Sequence, residues 1–244
     1  RYELSVAQKS APNAPLPEGV EAQLVGSGSF RVDAAKMLDK LRRYQLSDPR
    51  DFLSAWLRAA AASGATRISL AAVRGGLELR FDGRAFSAAE LSQPYQVLVD
   101  GAGKDAARGR HFAYGLLALY RLKPLRISVT SRGEGGGAVM SLGAKAVRQE
   151  DADTAPQGTV IRVEFPLWAS WWRPFLLAAR ARSRYGLGPA AFTVNGIPVA
   201  NHPAGWTEFQ KSGWRGAYRN RLAGGKVRLY LLGALVEELE EATK

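Results

Sequence analysis

The chain has 244 residues, of which 46% are apolar, and its 34 basic and 22 acidic residues give a net charge of +12. This composition supports a buried core of one large or two modest domains and excludes wholesale disorder. The charge favours an acidic partner, either a protein surface, a nucleic acid or an anionic membrane. Cysteine is absent, which excludes disulfides, thiolate nucleophiles and zinc ribbons. No apolar run reaches the roughly 18–20 residues of a membrane span.

Three segments are predicted along the chain. Residues 1–30 contain three prolines, with Gly26 and Gly28 near their end, which indicates a flexible arm. Residues 31–166 form the main domain, and residues 167–244, which follow Pro166, form a small basic α+β region. Because the first residue is Arg1 rather than Met, we expect a processed or excised piece of a longer product.

Two helices are predicted before the first strand. Apolar residues recur at helical spacing over 33–44. Asp48 and Pro49 then form a helix start, with a capping side chain followed by proline in the first turn. This second helix runs to Ser63, buries a face that contains Trp56, and is stopped by Gly64.

Strands and one further helix follow. The stretch 111–122 is apolar nearly all round, which predicts a buried helix. Glycine turns between short β-rich runs predict hairpins, and hairpins imply an antiparallel or mixed sheet with helices packed on one face. The predicted strands are Arg67–Val73, Leu77–Phe81, Leu125–Ser131, Ala138–Leu142 and Thr159–Phe165.

The region after Pro166 has its own signals. We expect Trp168, Trp171 and Trp172 to lie at an interdomain seam, because tryptophan buries a large area at interfaces. The further predictions are a basic helix through Arg180–Arg184, a hairpin that turns at Asn195-Gly196, a strand over Lys226–Leu232 and an acidic helix over Leu235–Ala242.

Three short motifs occur in a recognisable order. Ser63-Gly64-Ala65-Thr66 follows a helix, a helix and strand run from His111 to Arg132, and Gly158-Thr159 opens a strand. In this order they resemble the GHKL ATPase superfamily, which includes the ATPase component of DNA gyrase, the large heat-shock chaperones, sensor histidine kinases and MutL. The resemblance covers about residues 33–166 and implies an α/β sandwich with a mixed, mainly antiparallel sheet and helices on one face.

The chemistry of that family is missing from the first motif. Active members carry a Glu that activates water and, four residues on, an Asn that ligates magnesium. The alignment on Gly64-Ala65-Thr66 places Ala55 and Ala59 at these positions and Ala62 at a family Asp. Alanine can neither act as a base nor ligate a metal, so the resemblance implies a module that does not hydrolyse ATP.

The second motif, Asp-x-Gly-x-Gly, is degenerate. If Gly83 aligns with its first glycine, Phe81 stands where the family Asp contacts adenine, and Asp82 lies one residue away. A β-bulge would present Asp82 instead, whereas the plain alternative is a strand-ending turn.

The third motif is the family's phosphate lid, and it is also incomplete. Gly115 matches its end, Arg110 replaces its first glycine, and Lys104 lies where some relatives place a phosphate-binding lysine. The nucleotide-binding candidates are therefore Asp82, Gly83, Lys104 and Gly115, with a solvated flexible loop as the alternative for the lid. We expect His111 to start or pack the buried helix rather than act as a base.

The C-terminal region carries most of the positive charge. Between Arg162 and Arg228 there are eleven Lys or Arg and two Glu, with four aromatic residues interleaved. Such a pattern suits polyanion binding, since basic groups contact phosphates and aromatic rings stack on unpaired bases. The alternative is a small core from which arginines extend outward. The polyanion candidates are Lys211, Arg215, Arg219 and Arg221.

Together these features predict a non-catalytic GHKL-like module, a pseudo-ATPase, that acts as a protein-interaction or assembly scaffold. The alternatives are weak nucleotide binding without hydrolysis and nucleic-acid binding through the basic C-terminal stretch. We expect no metal or required cofactor, residual ATP or ADP binding at most, a protein partner with an acidic surface, and a cytoplasmic location.

Overall fold

The computed structural model describes residues 48–100, 106–134, 136–143, 147–150, 157–201, 205–211, 214–219 and 226–240. All of them belong to one compact unit, which spans Leu46–Lys244. The helix predicted over 33–44 and the arm predicted over 1–30 lie outside the described residues. Within the described ranges, no helix is long and apolar enough to cross a membrane.

The first long helix begins where the sequence predicts. The Asp48 side chain accepts a hydrogen bond from the backbone N–H of Arg50 and caps a 3-10 turn, Pro49–Asp51, that leads into the helix. Gly64, with φ of +78°, ends it. The helices are α1 (Phe52–Ala62), α2 (Ala88–Ser92), α3 (Val97–Asp100), α4 (Ala106–Tyr120), α5 (Leu167–Ser170) and α6 (Arg173–Arg184).

The fold is α+β, and its main layer is an eight-stranded mixed sheet with the order β5-β4-β3-β6-β2-β1-β7-β8. The strands β1 and β7 pair in parallel, and the other neighbouring strands pair antiparallel. Its strands are β1 (Arg67–Val73), β2 (Gly76–Phe81), β3 (Arg126–Gly133), β4 (Gly136–Gly143), β5 (Val147–Glu150), β6 (Gly158–Glu164), β7 (Ala191–Val194) and β8 (Ile197–Pro198). The strands predicted for this sheet are all present, and β5 was not predicted.

Alternation of buried and exposed residues along the strands gives the large sheet one apolar face. Leu79 and Ile161 are buried, whereas Arg80 and Arg162, each one residue further along its strand, are exposed. Side chains of α1, α4 and α6 pack against the apolar face in a single hydrophobic core that includes Trp56, Leu116 and Leu177. The helices therefore cover one face of the sheet, as the hairpin pattern predicted, and the opposite face is polar.

The large sheet continues beyond Pro166, since β7 joins its edge through the parallel pairing with β1. A second, small sheet follows, four-stranded and antiparallel, with the order β12-β11-β10-β9. Its strands are β9 (Thr207–Lys211), β10 (Trp214–Arg219), β11 (Lys226–Leu231) and β12 (Ala234–Glu240).

One secondary-structure prediction is wrong in this region. The acidic helix predicted over Leu235–Ala242 is the strand β12, which pairs along β11. Glu and Leu favour helix locally, but two tertiary contacts outweigh this propensity. Glu238 pairs with Arg228 across the sheet at 2.6 Å, and Leu235 packs in a small buried cluster with Tyr230.

The tryptophans after Pro166 also differ from the prediction of a buried seam. Trp168 is 65% exposed and Trp171 is 73% exposed, while Trp172 is half-buried. The first two belong to the outer side of α5 and of the turn that follows it, because the inner side is occupied by Ala169, which is fully buried.

Candidate functional site

An aromatic cluster fills the place where α1, the loop after β2 and α4 meet. Phe52 packs edge-on against Trp56, with ring centroids 5.0 Å apart. Trp56 in turn stacks on Phe112 at 6.4 Å, and Phe112 lies 4.8 Å from Phe86. All four side chains are at most 3% exposed. We call these four residues the aromatic cluster.

A buried hydrogen bond fixes the orientation of Trp56. Its indole Nε1 donates to the backbone carbonyl of Phe112 at 3.2 Å. A buried indole N–H without a partner would carry a desolvation cost, so this bond favours the observed rotamer. Trp56 therefore links α1 to the backbone of α4.

Gly115 makes room for this ring. A Cβ atom added at Gly115 would overlap atoms Cδ1 and Nε1 of the Trp56 indole. The residue predicted as the end of a phosphate lid is thus a glycine in mid-helix, where it allows close contact with Trp56. Its backbone packs against the aromatic cluster.

Arg108 closes the other side of the cluster and is almost completely buried. Its Nη1 donates to the carbonyls of Arg84 and Ala85 at 3.0 and 3.1 Å, and its Nη2 pairs with the carboxylate of Glu90. The guanidinium lies 4.5 Å above the ring of Phe86. Both terminal nitrogens of this cation therefore have internal partners, whereas its buried Nε has none among the described residues.

Glu90 is held in place for this pairing. It forms a capping box with Ser87 at the start of α2, in which each side chain bonds to the other residue's backbone N–H. Burial raises the pKa of Glu90, but the hydrogen bonds from Ser87 and Arg108 outweigh it and hold the pKa below its usual range. The carboxylate stays ionised beside Arg108.

Asp82 faces away from the aromatic cluster. The register between β1 and β2 is regular through Ile68 and Phe81, and Phe81 is buried in the core. The carboxylate of Asp82 accepts hydrogen bonds from the backbone N–H groups of Thr66 and Arg67 at 2.8 and 2.9 Å, and from the Thr66 hydroxyl at 2.6 Å. Burial opposes ionisation, but these bonds hold the pKa of Asp82 well below its usual range. Its acceptor sites tie the end of β2 to the start of β1.

Gly83 belongs to the same structural joint. An added Cβ would overlap the hydroxyl of Ser63 and would lie 2.9 Å from the backbone nitrogen of Ala65. The next residue, Arg84, donates its backbone N–H to the carbonyl of Ser63 at 2.8 Å. Gly83 therefore permits the chain to pass closely over the end of α1.

The remaining nucleotide candidates contribute little to this region. Ala59 is buried and Ala55 is half-buried, so these two positions present methyl groups. Lys104 lies outside the described residues. Burial, together with the positive charges of Arg58 and Arg110, lowers the pKa of His111 to about 4, which keeps this imidazole neutral at pH 7. Among the described residues, no group of three or more His, Asp or Glu could hold a metal ion.

In the described part of the chain, the aromatic cluster occupies the space between α1, the Asp82–Phe86 loop and α4. A nucleotide in this space would need a cavity lined by several polar groups and oxygen ligands for its magnesium.

The basic C-terminal candidates are placed only in part. The backbones of Lys211, Arg215 and Arg219 lie in β9 and β10, but their side chains, like all of Arg221, are outside the described part of the chain. Nearby, Arg228 lies 4.7 Å above the ring of Trp206 and pairs with Glu238. The structure thus places one arginine of this region in an internal contact.

A shallow trough of about 430 Å³ on the polar face of the large sheet was not predicted. Arg67 and Arg80 line it, and each pairs with an acid, Asp82 at 3.3 Å and Glu78 at 2.7 Å. Alternation along β1 and β2 was the signal that could have located this polar face. The charges of its two arginines are already balanced.

A scan against protein-family models gives no match, and a search of curated proteins gives none either. The GHKL resemblance therefore stays a prediction, carried by the motifs and their order.

Proposed function

We propose that this chain is a non-catalytic module of GHKL type, a pseudo-ATPase, that acts as a protein-interaction or assembly scaffold. The observation that carries the proposal is the packing of Trp56 against Gly115 and Phe112. Buried aromatic packing at this place supports a structural core in the region where relatives would hold a nucleotide.

The polar residues around the aromatic cluster support the same view. Arg108 is engaged with Glu90 and with two backbone carbonyls, and Asp82 is engaged with the start of β1. Ala55 and Ala59 supply no base and no metal ligand, and a positioned base alone contributes about 10²–10⁴-fold to a hydrolysis rate. Arg108 and Asp82 therefore have structural roles, which fits a module whose function lies in its binding surfaces.

Exposed apolar side chains and charge support a macromolecular partner. Phe209, Tyr218 and Leu239 are 37–44% exposed on the small sheet, whose other side buries Ala217 and Tyr230. Exposed apolar clusters of this kind mark interaction surfaces. The net charge of +12 favours a partner with an acidic surface.

An ATP turnover assay tests the non-catalytic part of the proposal. The purified chain and its Ala55→Glu/Ala59→Asn variant are incubated with magnesium and ATP, and released phosphate is measured. We expect background rates for both, because the aromatic cluster would still occupy the space beside α1. Magnesium-dependent turnover by the parent chain would contradict the proposal.

A capture experiment tests the scaffold part. The chain is immobilised, proteins are captured from an extract of its source cells, and the bound set is compared with and without added magnesium and ATP. A scaffold that does not switch with nucleotide captures the same set under both conditions. A set that changes with ATP would indicate a nucleotide-dependent module instead.

A further inference from the structure

Six large apolar side chains are exposed on α5, at the start of α6 and on the turn before β3. Each is more than half exposed, from 57% for Leu125 to 92% for Leu167. We call this set the tryptophan patch; its members are Leu125, Leu167, Trp168, Trp171, Phe175 and Leu176. Single exposed apolar residues are ordinary, but five within residues 167–176, two of them tryptophans, mark an interaction site.

The patch is built on an anchored support. The inner sides of α5 and α6 contribute Ala169, Leu177 and Ala178 to the main hydrophobic core. Arg173 lies 5.0 Å above the ring of Trp168 and donates a hydrogen bond to the carbonyl of Leu122 at 2.9 Å. These contacts hold α5 against the turn that carries Leu125, so the exposed side chains are presented from a fixed backbone.

The sequence around the patch is mostly basic; its nearest acid is Glu164, whose carboxylate lies 3.8 Å from Arg162 and whose backbone carbonyl accepts from the N–H of Leu125. The sequence from 165 to 207 contains no Asp or Glu, and neither does the sequence from 111 to 133. Lys123 and Arg126 flank Leu125 and are exposed, as is Arg182 near the end of α6. This charge disfavours a second copy of the chain as the occupant, because two basic rims would repel each other.

We propose that the tryptophan patch docks this protein onto an anionic lipid surface. Trp, Phe and Leu side chains enter the interfacial region of a bilayer, and Lys and Arg at the rim contact anionic headgroups. Trp168 and Trp171 have the amphipathic rings that concentrate at this interface. The high exposure of Leu167 and Trp171 means that these side chains project outward, which suits insertion into lipid better than acceptance of a partner's side chain.

Vesicle flotation tests the proposal. The protein is mixed with vesicles of phosphatidylcholine alone or with about 30% phosphatidylglycerol, and the floated fraction is measured at low and physiological salt. The test variant is Trp171→Ser/Phe175→Ser. The matched control is Ile197→Ser, which removes another exposed apolar side chain from the β7–β8 hairpin. A Lys123→Gln/Arg126→Gln variant tests the charged rim without altering the apolar residues.

We expect the parent and the Ile197→Ser control to float with anionic vesicles and to bind neutral ones weakly. The Trp171→Ser/Phe175→Ser variant should lose at least about tenfold in partitioning, and the charge variant should lose its preference for anionic lipid. Because all five replaced side chains are exposed, the thermal unfolding of the variants should match the parent. A parent chain that binds neither vesicle, or a double variant that binds as well as the parent, would overturn the proposal and assign the patch to a protein partner.

Discussion

Gly115 in α4 packs directly against Trp56 in α1. The indole ring of Trp56 lies so close that a Cβ atom at position 115 would overlap it. The same indole donates to the Phe112 carbonyl, three residues earlier in α4. A glycine in mid-helix costs roughly 1 kcal/mol relative to alanine. The close helix contact that it permits offsets this cost.

Gly115→Ala should destabilise the protein by about 1–3 kcal/mol, because the added methyl group forces Trp56 out of its position. Gly109→Ala is the matched control in the same helix, since the atoms nearest to its added Cβ would be those of the Val97 side chain, at 3.4–3.5 Å. The control should be neutral or stabilising by up to about 1 kcal/mol. Urea unfolding measures both, and equal effects of the two substitutions would contradict the packing of Trp56 against Gly115.

Trp56→Ala should lower the free energy of unfolding by about 3–5 kcal/mol, since the side chain is 1% exposed and central to the aromatic cluster. Trp56→Phe keeps an aromatic ring but removes the hydrogen bond to Phe112. Its free energy of unfolding should therefore fall less than that of Trp56→Ala. Chemical denaturation of both variants gives the comparison. A decrease below about 1 kcal/mol for Trp56→Ala would mean that this face of α1 is not packed in the hydrophobic core.

His111 should make the protein less stable in mild acid. Its folded pKa of about 4 lies below its ordinary value of 6.5, so its contribution is fully present above pH 6.5 and is lost as the pH falls towards 4. The loss should be on the order of 1–3 kcal/mol. Urea unfolding of the parent and of His111→Gln between pH 7.5 and 4.5 checks this, and parallel pH profiles would show that His111 titrates normally.

Asp82→Asn should destabilise the protein by about 1–3 kcal/mol at pH 7, because an amide cannot accept all the hydrogen bonds that Thr66 and Arg67 donate. Glu78→Gln, which breaks the ion pair with Arg80, is the control and should cost at most about 1 kcal/mol. Guanidinium unfolding distinguishes the two. If the Asp82→Asn variant were as stable as the parent, the hydrogen bonds of the Asp82 carboxylate would not stabilise the fold.

Local patterns predicted much of this fold. The Asp48-Pro49 cap, the Gly64 stop and the Asn195-Gly196 turn are each determined by backbone preferences within a few residues. The alternation along β1 and β2 likewise follows from one buried face. Such features depend little on residues that are distant in the chain, so the sequence alone is sufficient to predict them.

Features set by distant partners were not predictable in the same way. Glu238 lies in a strand in which Arg228 stands opposite it and Lys226, opposite Glu240, also reaches its carboxylate. Arg108 pairs with Glu90 and with two backbone carbonyls, all of them more than ten residues earlier in the chain. Neither contact leaves a periodic or nearest-neighbour signal in the chain.

Thermal unfolding with increasing magnesium and ATP tests the central claim, that side chains fill the place where a nucleotide would lie. The account predicts a melting temperature that does not change up to millimolar ATP. A nucleotide at 100 times its Kd would stabilise the folded state by about 2.7 kcal/mol, which is several degrees for a domain of this size. A saturable rise in melting temperature that requires magnesium would contradict the account.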